Sequence, residues 1–195
     1  MRSATINRKT KETDLSLTLN LDGKGVSNVD TGCGFFDHML DLLTRHGRFD
    51  LTVKCNGDIN VDYHHTVEDV GIVLGQAFKK ALGDMKGIIR YGTTILPMDE
   101  SLIMTALDIS GRSYLKLDLP VRASKIGDFP VELVEEFLLA FVRHAGLTLH
   151  VVKMAGTNAH HIVEGMFKSL ARSLKTAVAI DKDFANEIPS TKGVL

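Results

Sequence analysis

The chain contains one short pattern twice, and this internal repeat restricts its fold more than any other feature. His64–Glu68 and His160–Glu164 both have the sequence His-His-x-x-Glu, and they begin 96 residues apart. In both copies apolar residues continue at intervals of three and four, which indicates an amphipathic helix that packs one face on a core. The repeat therefore predicts two similar halves, each ending in a helix that begins with a histidine pair.

Another pair of similar segments lies upstream of the two histidine pairs, at an offset of 98 residues. Both copies predict an apolar helix that ends at Arg-His, followed by a glycine and a strand. This alignment places His46 opposite His144 and His38 opposite Glu136. Further strands are predicted where polar and apolar residues alternate, in residues 14–21, 102–109 and 114–119.

These elements predict an α+β fold. We expect an internally duplicated unit with two antiparallel or mixed sheets, helices packed on one face of each, and the form of a pseudo-twofold sandwich. No linker or low-complexity stretch separates the halves. The 195 residues are therefore interpreted as a single domain built from two fused similar halves, approximately 1–92 and 93–195.

Composition excludes several classes of partner. The chain has 23 basic and 24 acidic residues, so its net charge of −1 favours neither nucleic acid nor an anionic membrane as a partner. No apolar run approaches the ~18 residues of a membrane span, and the first residues do not have the pattern of a signal peptide. Cys33 and Cys55 lack a Cys-x-x-Cys spacing, so we expect reduced thiols in a cytoplasmic protein.

The repeated pattern is typical of a metal site. On a helix the first histidine and the glutamate share one face, while the second histidine points about 100° away, so each copy offers ligands in two directions. Two copies brought together could hold two ions of manganese, iron or zinc. The candidate ligands are His38, His64, His65, Glu68, Glu136, His160, His161 and Glu164. Glu136 also has a simpler interpretation as part of an exposed helix face.

Other polar residues near these elements indicate an anionic substrate. Arginine pairs well with phosphate through parallel donors, and lysine contributes a point charge. The residues that together suggest a phosphate site are Arg90, Arg112, Lys168, Ser190 and Lys192, although each alone could be an ordinary surface residue.

Three further histidines have a structural role as an alternative. His46 and His144 lie at predicted helix ends, and His150 lies in a predicted strand.

Seven segments carry a resemblance to a known family. They are Arg8–Thr13, Phe36–Leu40, Asp62–Asp69, Leu96–Glu100, Asp108–Arg112, His160–Glu164 and Pro189–Gly193. In that order they make the chain similar, over essentially its whole length, to the imidazoleglycerol-phosphate dehydratase family. The resemblance implies a lyase with two Mn²⁺ per active site that converts imidazole glycerol phosphate to imidazole acetol phosphate and water, in histidine biosynthesis. It also implies a homo-oligomer of 24 subunits with active sites at subunit interfaces.

The resemblance also assigns roles by position. It implies metal binding by the candidate ligands, phosphate binding by the basic residues and serine above, proton transfer by Glu12, and a substrate contact by His46. Glu12 would therefore also bind substrate. Two positions depart from the family, which commonly has histidine where this chain has Glu136 and often has aspartate where it has Tyr63.

The chemistry that the resemblance implies is a dehydration, and the residues above fit it. A metal-bound imidazolate ring could expel hydroxide from the adjacent carbon, and Glu12 could take the carbon-bound proton to give an enol that becomes a ketone. Two alternatives remain at this point. One is a non-catalytic metal store or sensor, and the other is a dinuclear phosphoesterase in which the same ions activate water.

Overall fold

The computed structural model describes residues 2–195, and within this range the chain forms two sheets of four strands and one two-stranded hairpin. Four helices connect the strands. In chain order the elements are β1 (Ser3–Lys9), β2 (Thr13–Asn20), β3 (Ser27–Asp30), α1 (Gly34–Gly47), β4 (Asp50–Gly57), α2 (His64–Leu82), β5 (Tyr91–Met98), β6 (Ser101–Asp108), β7 (Tyr114–Asp118), β8 (Lys125–Ile126), β9 (Phe129–Pro130), α3 (Leu133–Ala145), β10 (Thr148–Ala155) and α4 (Ala159–Val178).

The two large sheets have the same topology. Their strand orders are β1-β2-β4-β3 and β5-β6-β10-β7. In each sheet the first three strands are antiparallel, and the last strand runs parallel to its neighbour. The unit β-β-β-α-β-α thus occurs twice, and only the second copy contains the inserted β8–β9 hairpin. The predicted α+β fold with an internal duplication is confirmed, and both sheets are mixed.

The helices lie between the two sheets. Helix α2 packs on β1 and β2, α4 packs on β5 and β6, and the helices of one half contact those of the other as the pairs α1–α4 and α2–α3. Strands β2 and β6 alternate between buried and less buried residues, as expected of a sheet with one covered face. The layers are therefore sheet, helices, helices, sheet. This arrangement confirms the prediction of helices on one face of each sheet.

Aromatic side chains fill the space between the helix layers. Phe137 stacks on Phe141 with ring centroids 6.3 Å apart and on Phe167 at 5.4 Å, and it meets the edge of Phe36 at 5.4 Å. All four side chains are buried. Because they come from three helices of both halves, one continuous core joins the two repeats.

Helices α2 and α3 approach each other so closely that α2 has glycine at the contact. A Cβ atom on Gly71 would lie 2.9 Å from the carbonyl oxygen of Phe137, and one on Gly75 would lie 2.7 Å from that of Phe141. Real Cβ atoms do not approach a backbone so closely. Glycine at these two positions therefore permits the close packing of α2 and α3. This packing outweighs the unfavourable propensity of glycine in a helix.

A glycine ends α2, and both cysteines agree with the sequence analysis. Helix α2 ends at Leu82, and Gly83 follows with a positive φ of 63°, a conformation that glycine adopts without strain. Cys33 and Cys55 are buried and free, and burial raises the pKa of the Cys55 thiol to about 11. A protonated, buried thiol is a poor nucleophile and a poor metal ligand.

Candidate functional site

Both histidine pairs lie in the first turns of their helices, where backbone N–H groups lack partners inside the helix. The side chain of Asn158 caps α4 and accepts hydrogen bonds from the backbone N–H groups of His160 at 2.9 Å and His161 at 3.3 Å. At α2 the carboxylate of Asp62 accepts one from the N–H of His64 at 2.8 Å. Polar residues just before each helix therefore fix the backbone of the histidine pairs.

One group of candidate ligands converges within the chain. The Nε2 atom of His160 lies 2.8 Å from Glu164 Oε2, and the Nε2 atom of His38 lies 3.7 Å from the same oxygen. One ligand atom from each residue lies within 4.8 Å of the others. His38 comes from α1 and the other two come from α4, so the two repeats contribute to a single site. Two imidazole nitrogens and a carboxylate oxygen at this spacing suit a divalent cation.

The carboxylate of Glu164 is mostly buried and remains ionised. Burial by itself would raise the pKa of Glu164, but hydrogen bonds from Lys168 and His160 lower the pKa below its ordinary value. Lys168 Nζ lies 2.6 Å from Glu164 Oε1, because a spacing of four residues puts both side chains on one face of α4. One carboxylate oxygen thus pairs with Lys168, and the other faces the two histidines.

The second histidine of each pair is held by a carboxylate that precedes its helix. His65 Nδ1 donates to Asp58 at 3.0 Å, and His161 Nδ1 donates to Glu100 at 2.7 Å. These hydrogen bonds raise the pKa of His65 and of His161. A carboxylate on Nδ1 orients the ring and leaves Nε2 for a metal ion, which is a common arrangement around metal-binding histidines.

Glu100 is itself firmly positioned. Its Oε1 atom accepts hydrogen bonds from the backbone N–H groups of Asn158 at 2.8 Å and Thr157 at 3.2 Å, while Oε2 accepts from His161. The hydrogen bond from His161 and those from the backbone hold the pKa of Glu100 far below its usual range. Neither Glu100 nor Asp58 was predicted from the sequence. The only available signal for Glu100 was its place in the matching segment Leu96–Glu100.

The free Nε2 atoms of both rings face a further carboxylate. Glu12 Oε1 lies 3.7 Å from His65 Nε2, and Asp99 Oδ2 lies 3.7 Å from His161 Nε2. Glu12 lies in the turn between β1 and β2, and its side chain is 53 % exposed. A carboxylate that is accessible and lies beside a metal-ligand candidate is well placed to exchange a proton with a bound molecule.

The remaining ligand candidates are His64, Glu68 and Glu136. His64 is the first residue of α2, Glu68 lies one turn further along, and Glu136 is half-buried on α3, which packs against α2. By the repeat they correspond to His160, Glu164 and His38. Among residues 2–195, the three-residue group of His38, His160 and Glu164 is the only one with ligand atoms as close as 4.8 Å. The second set lies on neighbouring helices without converging to that distance.

Four of the predicted phosphate-site residues line one cavity. Arg90, Arg112, Ser190 and Lys192 surround a space of about 570 Å³ together with parts of the C-terminal segment. The Arg112 side chain is 69 % exposed, so most of its donors face solvent. The cavity therefore brings three cationic side chains and a hydroxyl together at one place.

Arg90 mainly organises the wall of this cavity. It donates to both oxygens of Asp108 at 2.7 and 3.1 Å and to the carbonyl oxygen of Pro189 at 2.8 Å. Its guanidinium carbon lies 4.7 Å from the centroid of the Tyr91 ring. Through these contacts Arg90 fixes the segment that carries Ser190 and Lys192.

Lys168 and His46 occupy a different place from this cavity. Lys168 pairs with Glu164 and does not line the cavity of Arg90. His46 is half-buried, and burial together with the charges of Lys168 and Arg172 lowers the pKa of its imidazole. Both residues thus belong to the side of the molecule where His38 meets α4.

The other polar residues of interest contact neither group. His144 Nδ1 donates to the carbonyl oxygen of Ala140 at 2.9 Å, and the ring of His150 lies 5.7 Å from that of Tyr114. The hydroxyl of Tyr63 donates to Asp128 at 2.6 Å, and this hydrogen bond raises the pKa of Tyr63 to about 12. Tyr63 thus holds the β8–β9 hairpin beside the start of α2.

Across residues 2–195, none of the helices has the length and apolar character needed to cross a membrane.

Comparisons with known proteins identify the family. The family model described as imidazoleglycerol-phosphate dehydratase matches residues 31–174. Proteins named imidazoleglycerol-phosphate dehydratase from Xanthobacter autotrophicus and Rhodopseudomonas palustris are 61% and 59% identical over 195 residues, which is 100% of this chain and 99% of each relative.

Solved structures agree with the sequence comparisons. The Staphylococcus aureus dehydratase is 38% identical with a TM-score of 0.84, and the match covers 92% of this chain and 99% of that one. The Pyrococcus furiosus enzyme is 33% identical with a TM-score of 0.84, over 97% of this chain and 100% of that one. The chain therefore belongs to the imidazoleglycerol-phosphate dehydratase family of lyases, as the seven segments predict.

Proposed function

We propose that this protein dehydrates imidazole glycerol phosphate to imidazole acetol phosphate in histidine biosynthesis, with two Mn²⁺ in each active site. The observation that carries the proposal is the convergence of His38 with His160 and Glu164, in a chain of this dehydratase family. Imidazole and carboxylate donors suit manganese. Bound ions would act as Lewis acids toward the imidazole ring of the substrate and would help to orient it.

Some of the candidate ligands have their side chains oriented by hydrogen bonds within this chain. For the others, a neighbouring subunit could complete the ligand set. Asp58 and Glu100 fix the rings of His65 and His161 with Nε2 free. Because each histidine pair points in two directions, the second member of a pair can serve a different ion from the first. The set His64, Glu68 and Glu136 would serve in the same manner as the set that converges around Glu164.

Glu12 is the proposed proton-transfer residue. Dehydration must take a weakly acidic proton from carbon and expel a hydroxyl group, and the resulting enol then becomes the ketone. The Glu12 carboxylate is exposed to an incoming molecule and lies 3.7 Å from the free nitrogen of His65. A carboxylate at this place can accept the carbon-bound proton of a substrate whose ring lies next to the histidines.

The phosphate group of the substrate would lie in the cavity of Arg112, Ser190 and Lys192. Arg112 offers paired donors, Lys192 offers a charge, and Ser190 offers a hydroxyl that can donate or accept. Arg90 supports this cavity through Asp108 and Pro189. Phosphate is not changed by the reaction, so these residues would contribute mainly to binding.

We further propose that active sites form between subunits of a homo-oligomer, with 24 subunits as the resemblance implies. The residues that line the phosphate cavity include none of the metal-ligand candidates. The substrate, however, joins its ring and its phosphate through only three carbon atoms. A neighbouring subunit is therefore the natural source of the missing half of each site. Apolar side chains exposed on and beside β5, among them Ile89, Tyr91 and Ile95, are consistent with a protein interface.

The decisive experiment is a product assay. The purified oligomer is stripped with a chelator, reloaded with Mn²⁺ and incubated with imidazole glycerol phosphate. We expect a new ketone that appears only after reloading. Release of free phosphate would instead indicate a phosphoesterase, and tight metal binding with neither product would indicate a store or sensor.

A variant of the proton-transfer residue tests the assignment of Glu12. Glu12→Gln keeps the size of the side chain and lies outside the predicted ligand set. We expect retained metal and substrate binding and a turnover lower by about 10²–10⁴-fold, the usual contribution of a general acid or base. Near-normal turnover of Glu12→Gln would refute its proposed role.

Mixed oligomers test the shared active site. Glu12→Gln and Arg112→Ala are prepared as separate oligomers, dissociated together and reassembled, and activity is measured at a substrate concentration far below the KM of Arg112→Ala, where both parent variants turn over slowly. If Glu12 and Arg112 of one site come from different subunits, hybrid oligomers contain some intact sites and regain part of the activity. Sites contained within one subunit would give no gain over the separate variants.

A further inference from the structure

A buried carboxylate connects the turn that carries Glu12 to the helix that carries His64 and His65. Asp69 lies on α2 and is 5 % exposed. We propose that Asp69 is a positioning residue that holds Glu12 at its working distance from His65; this inference rests on the proposed function of Glu12. Asp69 itself would touch neither substrate nor metal.

Both oxygens of Asp69 are used, and the two donors come from both strands of the β1–β2 hairpin. Arg8 Nε, on β1, donates to Oδ1 at 2.9 Å. The hydroxyl of Thr13, the first residue of β2, donates to Oδ2. Arg8 pairs with Leu15 across the hairpin, so the two anchors lie on either side of the turn. Glu12 directly precedes one anchor and cannot move far while Thr13 is held.

The turn itself is a rigid unit. Thr10 Oγ1 accepts hydrogen bonds from the backbone N–H groups of Glu12 and Thr13, both at 3.0 Å. The N–H of Thr10 donates to the carbonyl oxygen of Thr13 at 2.9 Å. Because the turn is braced internally, the contact between Thr13 and Asp69 sets the position of the whole unit relative to α2.

A second tether approaches from the loop before α2. The N–H of Asp58 donates to the carbonyl oxygen of Glu12 at 3.0 Å, while the Asp58 carboxylate holds the ring of His65. Glu12 and His65 thus share one partner in Asp58, and Asp69 fixes the other side of the turn. A displacement of about 1 Å at a reacting group is enough to lower a rate about 100-fold.

This arrangement differs from a buried ion pair that only adds stability. Buried pairs are weak stabilisers on average, because desolvation offsets much of their attraction. An ion pair between Asp69 and Arg8 alone would not need the hydroxyl of Thr13. The bond to Thr13 instead places the constraint directly beside Glu12.

The test uses the assembled, Mn²⁺-loaded enzyme and the variant Thr13→Val, which removes the hydroxyl and keeps the branched shape. We expect kcat to fall about tenfold, equivalent to about 1.4 kcal/mol. We expect KM to stay within about twofold, because contacts to the phosphate are unchanged. The matched control is Asp14→Asn, which breaks the exposed pair of Lys9 and Asp14 on the same hairpin and should leave kcat unchanged. An unchanged kcat in Thr13→Val would overturn the inference.

A double-mutant cycle separates positioning from general destabilisation. If Thr13 and Asp69 act through Glu12, then Thr13→Val should cost almost nothing when added to Glu12→Gln. An undiminished cost in the Glu12→Gln background would show that the effect does not pass through Glu12. Asp69→Asn serves as the second variant and should behave in the same way, with an equal or larger loss of kcat.

Hydrogen exchange tests the tether without any assay of activity. Amides of residues 8–14 should exchange faster in Thr13→Val than in the parent protein, while those of α3 keep their rates. Equal acceleration throughout the molecule would instead indicate a merely structural role. Should the parent protein fail to form the ketone, the proposed function fails, but faster exchange confined to residues 8–14 would still support Asp69 as the anchor of this turn.

Discussion

His38 Nε2 lies 3.7 Å from Glu164 Oε2, which places an imidazole of the first repeat against a carboxylate of the second. The contact arises because α1 packs on α4. The duplicated topology provides the corresponding pair of helices, α3 on α2, for the other set of ligands. The same packing thus brings the ligands of one set together and places those of the other set on neighbouring helices.

Glu164→Gln should weaken metal binding strongly. The change removes the charge on which His38 and His160 converge and leaves Lys168 without its anionic partner. Loss of an outer partner of a ligand already lowers metal affinity about 10- to 100-fold, so loss of the carboxylate should cost at least about tenfold. The measurement is Mn²⁺ titration by calorimetry with elemental analysis of the purified protein. His150→Gln, which changes an exposed histidine beside Tyr114, is the control and should bind Mn²⁺ as the parent does.

Arg112→Ala should raise KM far more than it lowers kcat. Its guanidinium is largely exposed in the cavity that it shares with Ser190 and Lys192. A hydrogen bond to a charged group contributes about 1.5–3 kcal/mol, which corresponds to an increase in KM of roughly 10- to 150-fold. Steady-state kinetics with imidazole glycerol phosphate give the result. Arg122→Ala, at an exposed arginine outside this cavity, should change neither constant, and an unchanged KM in Arg112→Ala would place the phosphate elsewhere.

Asp50→Asn should lower thermal stability at neutral pH but much less in acid. Hydrogen bonds from the backbone N–H groups of Val26 and Lys24 lower the pKa of Asp50 below its ordinary value of 3.8. A folded-state pKa below the unfolded one stabilises the protein above the unfolded value, and this contribution disappears as pH falls through the folded value.

Melting temperatures measured at pH 7 and at successively lower pH values below 3.8 test this dependence. The difference between the parent protein and Asp50→Asn should shrink toward zero over that range. Asp118→Asn, at an exposed residue that ends β7, provides a comparison and should leave the melting temperature at pH 7 nearly unchanged, as most surface substitutions do. A difference for Asp50→Asn that stays constant with pH would contradict the assignment.

Gly75→Ala should destabilise the fold although alanine favours helices. The added Cβ would lie 2.7 Å from the carbonyl oxygen of Phe141 and 2.9 Å from the backbone nitrogen of Ala145. Overpacking costs roughly 1–3 kcal/mol, and the gain in helix propensity is about 1 kcal/mol. We expect a melting temperature lower by about 2–4 °C per kcal/mol of net loss.

A second glycine provides the matched control for Gly75. Gly34 begins α1, and a Cβ atom there would meet nothing within 4 Å. Gly34→Ala should therefore leave the melting temperature unchanged or slightly raised. A stabilised Gly75→Ala would mean that α2 and α3 separate easily, contrary to their close contact in the structure.

Much of the fold could be predicted because the same sequence pattern occurs in both halves of the chain. Periodic apolar residues identified the helices that begin at His64 and His160, and alternation identified β2, β6 and β7. The offset between the repeats suggested that His38 and Glu136 occupy corresponding positions, and the structure places them on α1 and α3, which pack on α4 and α2. The local pattern of apolar residues and the internal repeat together predict helices and strands well. Both signals depend on residues that are close in the sequence or aligned between the two halves.

The partners that orient the site could not be predicted in the same way. Asp58 and Glu100 are single carboxylates in segments without helical periodicity, and they reach His65 and His161 only through the folded backbone. Lys168 was grouped with the phosphate residues, but in the structure its nearest partner is Glu164. The role of Gly71 and Gly75 was equally hidden, because it depends on the distance between α2 and α3.

The two halves of the molecule depend on each other for the burial of their helices. Each half supplies two helices whose apolar surfaces are covered by helices of the other half and not by each other. A polypeptide of half the length would leave those surfaces bare until it met a second copy of itself. The present chain therefore has the architecture of a symmetric dimer within a single polypeptide, in which each half carries the partner that the other half needs.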